Sequence, residues 1–585
     1  MTPSDPQHRD GTVASAWRRF VGHPVATAAA LVLLALLAVF LVLPVGLTIG
    51  KGFLLEGRLS LYWFTRVTGN SALLGQFANG LALAAITTGV SLALAVPLAL
   101  LRARTRFAGQ TLLSSAILLP LILPPFVGAL SMKRLLGQFG VLNLLLQRVG
   151  IIDLAAALPP DWLGSGFAGV VILQSLHLFP ILYLNASAAL ANIDPAYAQA
   201  ARNLGASPWR AFWKVTLPLM RPGLFAGGTI VFIWSFTDIG TPAIIGYDHL
   251  APVTIFRELA GADVSPRTYS LVFVLLSGSA TLYVLGKFIF GRSAVGESSK
   301  ATIAAETRRL GPAATGGAWL LFGGVTLLAV LPHIGVVLLA TADRWINTIL
   351  PGGYTLRHLQ FVITSPETYQ SILNSLRYAG ASTAVDVLLG SLIAWLLIRT
   401  RVLGRTLLDA LAMLPLAVPG IILAAGYVAM TARGPLEAIG PTKNPFAIIV
   451  IAYAVRRLPF VVRGVSAGLE QVPTSLEAAA RNLGASPGGA AWRITLPLIT
   501  ANLIAAGVLT FAFAVLEVSD SLVLAQTQEY YPITKRIYRL AMSTGSPEAI
   551  HQAAALGVYG MAMLAGTMGL AAALLGKRLG AIFRA

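Results

Sequence analysis

The sequence predicts an all-α, polytopic membrane protein with about 12 transmembrane helices in two parallel six-helix repeats. Hydrophobic residues make up 56% of the 585 residues, charged residues only 11%, and the two halves of the chain share long motifs. A soluble domain carries about 25% charged residues, so this composition is not that of a soluble domain. Because backbone polar groups need partners in lipid, long apolar runs that do not alternate must span as helices rather than as barrel strands.

Twelve apolar runs are candidate spans. A polar leader, residues 1–24, precedes the first run, which is too long for the hydrophobic region of a cleaved signal peptide, so we expect it to be retained. Lys and Arg are more frequent in the loops on the side of this leader, which favours two cytoplasmic termini. The candidate spans are residues 25–49, 79–101, 111–131, 167–190, 223–246, 268–290, 317–341, 375–398, 406–429, 446–463, 502–525 and 553–575.

A polar stretch divides the chain into two membrane domains, residues 25–290 and 317–585. Residues 291–316 combine Arg and Lys with Gly, Ala and Ser, which is typical of a cytoplasmic linker. With six spans on each side of this linker, the two domains run in the same direction across the membrane. A pathway would then lie between them.

An internal repeat is the strongest feature of the sequence. The motif RTR at 104–106 recurs at 399–401, and AARNLGASP at 200–208 recurs without change at 479–487. Pro120 and Pro124 recur at Pro415 and Pro419, and TLPL at 216–219 recurs at 495–498. The spacing differs between the early and the late motifs because the first half has a longer outer loop, around residues 132–166.

The nine-residue motif predicts a helix, a glycine corner and a second helix in each half. In the first copy, Asp194 can cap a short helix, Gly205 suits a left-handed position after it, and Ser207 can cap the next helix. We expect that next helix to stop near Pro218. In the second copy, Thr474 and Glu477 have the spacing of a capping box, and Gly484 forms the corner.

These segments resemble the EAA loops of the permease subunits of binding-protein-dependent ABC importers, whose pattern is E-A-A-x3-G-x9-I-x-L-P. Neither half has Glu at the first position of the pattern, and Glu477 lies one residue early. The residues that match are Gln199, Ala200, Ala201, Gly205 and Pro218 in the first half, and Ala478, Ala479, Gly484 and Pro497 in the second half.

The resemblance implies a pair of fused permease domains whose two loops couple to ATPase subunits. It implies two copies of an ATP-binding subunit, which hold ATP and Mg, a periplasmic or extracellular solute-binding protein, surrounding membrane lipid, and a location in the bacterial inner membrane. This sequence has no G-x-x-x-x-G-K-[ST] phosphate loop, so we expect no catalytic residues and no cofactor in this chain.

Ionisable residues inside spans are candidates for function because they are costly in lipid. Asp238 and Glu517 lie 279 residues apart, the spacing of the two loops, and Asp520 follows Glu517 by one helical turn. These carboxylates either line a substrate pathway or pair with Arg or Lys to fix helix packing. Gly240 and Pro242 predict a distorted helix near Asp238. Asp386, which corresponds to Ser91 in the first half, is expected in a buried ion pair.

Several other classes of site are excluded or disfavoured. The chain has no cysteine, which excludes disulfides and thiolate metal sites. Histidines such as His177, His333 and His551 lack the spacing of metal ligands, so no metal site is expected. The formal net charge is +19, but the basic residues are dispersed in short loops rather than clustered, which does not favour a nucleic-acid partner.

The resemblance narrows the substrate in part. Two permease domains in one chain, and the segment FTDIGTPAIIGYD at 236–248, are similar to ferric-iron importers. An acidic pathway would suit a hard cation. A phosphonate, a sugar phosphate, thiamine and sulfate remain alternatives within the same importer class. An ion-coupled secondary transporter with parallel repeats, and a channel or membrane scaffold, remain alternatives of another class.

Overall fold

The computed structural model describes residues 24–153, 158–261, 264–290, 308–416, 418–543, 546 and 548–575. Most of the leader 1–24 and of the linker 291–316 lies outside these residues, and the domain boundaries remain predictions. Strands in the described residues are two-residue segments: β1 Leu54–Leu55, β2 Arg58–Leu59, β3 Thr105–Arg106 and β4 Arg308–Arg309. β1 pairs antiparallel with β2, and β3 pairs parallel with β4, which ties the end of the linker to the first half.

The described residues of the first half form twelve helices, some with 3-10 or π turns inside their bounds. They are α1 Pro24–Gly52, α2 Tyr62–Thr68, α3 Ser71–Arg104, α4 Gln110–Ile122, α5 Pro125–Leu136, α6 Val141–Arg148, α7 Phe167–Ala191, α8 Pro195–Asn203, α9 Pro208–Thr237, α10 Gly240–Ile245, α11 Ala251–Leu259 and α12 Pro266–Phe290. A short 3-10 turn, Gly164–Gly166, leads into α7.

The described residues of the second half form eleven helices. They are α13 Pro312–Thr341, α14 Arg357–Thr364, α15 Pro366–Arg399, α16 Arg405–Leu416, α17 Gly420–Thr431, α18 Phe446–Gln471, α19 Thr474–Asn482, α20 Pro487–Val515, α21 Ser519–Leu524, α22 Ile533–Ala541 and α23 Ala549–Leu575. Each of them has a counterpart in the same order in the first half. The one helix without a counterpart is α6, which lies in the longer outer loop that the sequence indicated at 132–166.

Each of the twelve predicted spans corresponds to a long helix or a bent helix pair. Eight single helices are long and apolar enough to cross a membrane: α1, α3, α7, α9, α13, α15, α20 and α23. Two bent pairs pass the same test together: α4 with the segment Pro125–Arg148, which contains α5 and α6, and α16 with α17. The last two are α12, whose side chains 282–290 lie outside the described residues, and α18, which is less apolar because it carries Arg456, Arg457 and Arg463.

The expectation of continuous spans at 111–131 and 406–429 is wrong. The α4–α5 pair bends by 93° and the α16–α17 pair by 105°. Pro124 and Pro419 occupy these bends with the same backbone angles, φ −56° and ψ 138°. Proline has no backbone N–H to donate to a helical hydrogen bond, and it disfavours helical geometry in the residue before it. The chain therefore turns at both of the repeated prolines.

The expected bounds 223–246 and 502–525 are also wrong, as is the expected stop at Pro218. α9 and α20 begin earlier, at Pro208 and Pro487, and continue through the TLPL motifs. In each of them a five-residue π turn, Phe212–Thr216 or Ala491–Thr495, precedes the proline-containing turn. The wider hydrogen-bond spacing of a π turn lets the helix pass a residue that lacks a donor.

The two halves interlock through their first helices. α1 packs on α17 of the second half, where Tyr427 Oη donates to the carbonyl of Phe40 at 2.6 Å. α13 packs on α5 of the first half, where Ser131 Oγ donates to the carbonyl of Pro332 at 2.8 Å. A Cβ on Gly128 would lie 3.0 Å from Cβ of Pro332, so the approach depends on glycine. The hydrophobic core therefore contains residues of both halves.

Candidate functional site

The two elbows, residues 194–218 and 473–497, have the predicted helix–glycine–helix form. Gly205 and Gly484 have φ angles of +86° and +90°, which confirms the left-handed corner. In the first elbow Asp194 caps α8 by accepting from the backbone N–H of Ala196 at 2.8 Å. Ser207 caps the following helix, as expected, and Ser486 does the same in the second elbow.

The elbows present apolar side chains away from the rest of the protein. No residue of α8 or α19 is buried. Leu204 and Leu483, which occupy the same position of the repeated motif, are each 89% exposed. Gln199, Ala200, Ala478 and Ala479 are exposed and Ala201 is half-buried, while Pro218 and Pro497 lie in the first turns that follow the π turns.

The capping-box role expected for Glu477 is wrong. Pro473 occupies the cap position of α19, and no side chain caps this helix. The Glu477 carboxylate instead lies 3.0 Å from Nε of Arg399, the last residue of α15, and accepts from Thr495 Oγ1 at 2.8 Å. The carboxylate binds the guanidinium rather than a backbone N–H at the start of α19, because a charge-assisted hydrogen bond is stronger. Glu477 therefore fastens the second elbow to the membrane body.

The first elbow is fastened differently. Ala198 occupies the position that corresponds to Glu477, so no carboxylate is present there. Arg104, the counterpart of Arg399, donates directly to Thr216 Oγ1 at 3.1 Å. The two elbows thus have the same outer surface but different attachments.

Both helices that follow the elbows are interrupted at the same place in the repeat. α9 ends at Thr237, Asp238 has an extended backbone with ψ 135°, and α10 begins at Gly240. α20 ends at Val515, and α21 begins at Ser519. The distortion expected near Asp238 is confirmed, and a matching one surrounds Glu517.

The two breaks lie against each other. Trp234 and Phe513, one turn before the breaks, make an edge-to-face contact with ring centroids 6.2 Å apart. A Cβ on Gly240 would lie 3.0 Å from Cγ1 of Val518. Non-helical backbone at membrane depth is tolerated where it is enclosed by protein or lines a pathway, so this junction is a candidate pathway element.

Asp238 has neutral hydrogen-bond partners. Its carboxylate accepts from Gln174 Nε2 at 2.9 Å and from the backbone N–H of Gly240 at 3.1 Å. Gln174 is 1% exposed and lies in α7. Nothing in the sequence other than its position inside a span distinguished Gln174.

Glu517 and Asp520 are paired with arginines. Arg456 Nη1 lies 2.8 Å from Glu517 Oε1 and 3.3 Å from Asp520 Oδ2. Glu517 also pairs with Arg457, whose Nη2 donates to the carbonyl of Phe513 at 2.7 Å. The expectation that Asp520 shares a helix face with Glu517 is wrong, because the break between α20 and α21 separates them. Arg456 joins the two carboxylates instead.

The arginines were not identified as partners from the sequence. The signal was present, since Arg456 and Arg457 lie inside the predicted span 446–463, where charge is costly. The position that corresponds to Arg456 in the first half is His177, which contacts the carbonyl of Pro120 at 2.9 Å. One half of the junction therefore holds a compensated ion cluster, and the other holds one carboxylate with neutral partners.

Two further expectations concern buried groups. The buried ion pair expected for Asp386 is wrong, because neither carboxyl oxygen has a hydrogen-bond partner in the part of the chain that the structure describes. Within the same residues, no group of three or more His, Cys, Asp or Glu side chains could hold a metal ion.

Tandem helical repeats with paired helix breaks at their junction define an all-α, multi-pass membrane protein. The chain belongs to the family described as "Binding-protein-dependent transport system inner membrane component", whose model matches residues 85–294 and 386–583. One match falls in each half, so the fusion of two permease domains is confirmed. Proteins of this family are inner-membrane components of ABC importers that work with an ATPase and a solute-binding protein.

The relatives include permeases named for ferric iron and for molybdenum. The chain is 28% identical over 78% of its length to the ferric transport system permease protein FbpB of Actinobacillus pleuropneumoniae, of which the match spans 64%. A putative ferric permease of Haemophilus influenzae is 28% identical over 80% of this chain and 72% of its own length. A probable molybdenum ABC transporter permease of Haloferax volcanii is 33% identical over 37% of this chain and 77% of its own length.

A solved bacterial ABC transporter involved in the import of the acidic polysaccharide alginate gives a TM-score of 0.35 at 18% identity. The match covers 44% of this chain and 97% of that chain. This likeness is too weak to support an argument about the fold.

Proposed function

We propose that this chain is the permease of an ATP-driven importer of ferric iron. The observation that carries the proposal is the similarity to ferric permeases over 78% and 80% of the chain, which includes both halves. The molybdenum permease of Haloferax volcanii matches 37% of the chain. Relatives that share the whole two-domain plan are thus the better guide to the cargo.

The chemistry of the junction is compatible with transient passage of Fe³⁺. Ferric iron is a hard cation that prefers oxygen ligands. Asp238 offers a carboxylate whose partners are neutral, whereas Glu517 and Asp520 are compensated by arginines. We infer that Asp238 is the residue of this set that contacts the cation, and that Glu517 and Asp520 shape the pathway. Selection among cargoes would rest with the solute-binding protein.

The elbows are the proposed docking sites for the ATPase. The two elbows have matching surfaces, so they suit two copies of one subunit. In each of them a short helix without buried residues is followed by a leucine, Leu204 or Leu483, that is 89% exposed. An apolar side chain on a short helix is a common way to fill a groove on a partner. ATP and Mg would bind to those subunits, since this chain has no phosphate loop. Closure of the two ATPase copies would move both elbows and switch the junction between outward and inward access.

We propose that the elbows face the cytoplasm and that both termini lie on their side of the membrane, with lipid around the helices. Leu34 of α1 contacts Gly404, which lies three residues after the RTR motif at the elbow end of α15, and this supports the placement of the N-terminus. His551, near the start of α23, contacts the carbonyl of Leu339 near the far end of α13, which directs the C-terminus to the elbow side. The solute-binding protein would dock on the opposite face.

The test is uptake into proteoliposomes that contain the chain with its ATPase and a solute-binding protein loaded with ⁵⁵Fe³⁺. We expect ATP-dependent accumulation of iron, and no accumulation of molybdate or sulfate when the binding protein is offered with these anions instead. Uptake of an anion in preference to iron would overturn the proposed cargo and leave the importer class unaffected. An Asp238→Asn variant should lower iron uptake while its assembly with the ATPase is unchanged.

A further inference from the structure

Asp386 is a buried carboxyl whose partner is missing in this conformation. It lies in α15, it is 1% exposed, and both of its carboxyl oxygens lack a hydrogen-bond partner among the described residues. Leaving such a group uncompensated in a protein interior costs several kcal/mol. Intramembrane carboxyls that are kept at this cost are candidates for a role in transport.

The packing of α15 on α18 brings Asp386 opposite Arg457. The two helices cross closely where a Cβ on Gly390 would lie 2.9 Å from Cβ of Val461. Both helices run toward the elbow side, so residues one turn earlier also face each other. Those residues are Asp386 and Arg457, whose side chains are of opposite charge type.

Arg457 has one bond to a different carboxylate and one unused donor. Its Nη2 group pairs with Glu517 and donates to the carbonyl of Phe513 at 2.7 Å. Its Nε group is buried and has no acceptor among the described residues. An unused donor on Arg457 and two unused acceptors on Asp386 therefore occur on facing turns of neighbouring helices.

The internal repeat supports the assignment of this pair. The positions that correspond to Asp386 and Arg457 in the first half are Ser91 and Leu178, both uncharged. Glu517, in contrast, keeps an acidic counterpart in Asp238. Asp386 and Arg457 thus occur together in the second half, and both are replaced by uncharged residues in the first, as expected for residues that act as a pair.

We propose that Asp386 is a positioning residue that competes with Glu517 for Arg457, and that Arg457 passes from Glu517 to Asp386 when the permease changes conformation. The transfer leaves Glu517 with Arg456 as its cationic partner and so loosens the break between α20 and α21. Asp386 acts on the pathway through Arg457 and does not contact cargo. The proposal rests on the importer class and is independent of the identity of the cargo.

A double-mutant cycle in the assembled importer tests the pairing. The variants are D386S and R457L, which each introduce the residue of the first half, and the double variant D386S/R457L. We expect each single variant to lower ATP hydrolysis per assembled complex about tenfold, a loss of roughly 1.4 kcal/mol. The double variant should be no less active than R457L alone. Losses that multiply in the double variant would overturn the proposal.

A second measurement separates positioning from a purely structural role. D386N keeps the shape of the side chain, so it should assemble normally but hydrolyse ATP more slowly per complex. D386E keeps the carboxylate, so it should retain more than half of the wild-type rate of ATP hydrolysis. If D386N lowers the thermal midpoint or the amount of complex but leaves the rate per complex unchanged, Asp386 is structural and the proposal fails. Since ATP hydrolysis and assembly are measured without iron, this failure is distinct from failure of the proposed cargo.

Discussion

Trp234 and Phe513 face each other across the junction of the two halves, 6.2 Å apart between ring centroids and nearly perpendicular, at 89°. They are 279 residues apart and occupy the same position of the repeat. Each ring lies on the last turn of a helix that ends at a break with an acidic residue. The pair therefore marks a direct contact between the two pseudo-symmetric halves.

Cross-linking these two positions should stop transport. Because the sequence has no cysteine, the variant W234C/F513C has no competing thiols. We expect a short thiol cross-linker to abolish uptake, since the halves could no longer separate, and we expect cleavage of the link to restore it. Each single-cysteine variant, treated in the same way, is the control. Full transport by the linked protein would show that the junction does not open at these rings.

The corner glycines should be required for ATPase association. Gly205→Val and Gly484→Val force a β-branched residue into the left-handed region, which costs about 1–2 kcal/mol or more. We expect each variant to lower the amount of ATPase that co-purifies and to leave the membrane helices folded. The control is Gly488→Ala in the second elbow, where φ is not positive and an added Cβ meets nothing within 4 Å. Equal loss in this control would contradict the interpretation.

Removal of Glu477 should loosen the second elbow alone. Glu477→Ala leaves Arg399, whose side chain is 7% exposed, with backbone carbonyl acceptors but no carboxylate. A loss of about 1–3 kcal/mol of local stability is expected for an unpaired buried donor. Hydrogen exchange of residues 474–482 should accelerate, while that of residues 195–203 should not. The exposed Glu470→Ala provides the control, and equal acceleration in both variants would refute the fastening role.

Neutralising the two corresponding carboxylates should have unequal effects. Glu517→Gln leaves Arg457 without its carboxylate partner, and breaking a buried pair costs about 3–5 kcal/mol, so assembly and thermal stability should fall. Asp238→Asn removes a charge whose partners are neutral, so assembly should persist while iron uptake falls. Detergent-solubilised yield and melting temperature distinguish the two. Similar losses of stability in both variants would contradict the asymmetry of the junction.

The sequence was sufficient for features that depend on local chemistry and on the repeat. The corner at Gly205, the cap at Ser207 and the distortion near Asp238 follow from backbone preferences of a few residues, and the structure agrees with them. The two-half plan followed from motifs that recur in order. These features can be predicted without knowing which helices pack against each other.

Features that depend on distant contacts were missed. The spacing of Glu477 predicted a capping box. Its carboxylate instead pairs with Arg399, which lies 78 residues earlier in the chain and is brought close by tertiary packing. Arg456 and Arg457 bind acidic residues about 60 positions away, which a single sequence does not pair. Pro124 and Pro218 show the same limit, because one bends its helix sharply and the other is accommodated after a π turn.

The most direct test of the account is the energy source of the purified protein in proteoliposomes. With the ATPase and the loaded binding protein present, ATP should drive uptake, and the Gly205→Val/Gly484→Val double variant should abolish it. The chain alone, under a proton or sodium gradient, should take up nothing. Gradient-driven uptake by the chain alone, or full ATP-driven uptake by the double variant, would contradict a permease moved through its two elbows.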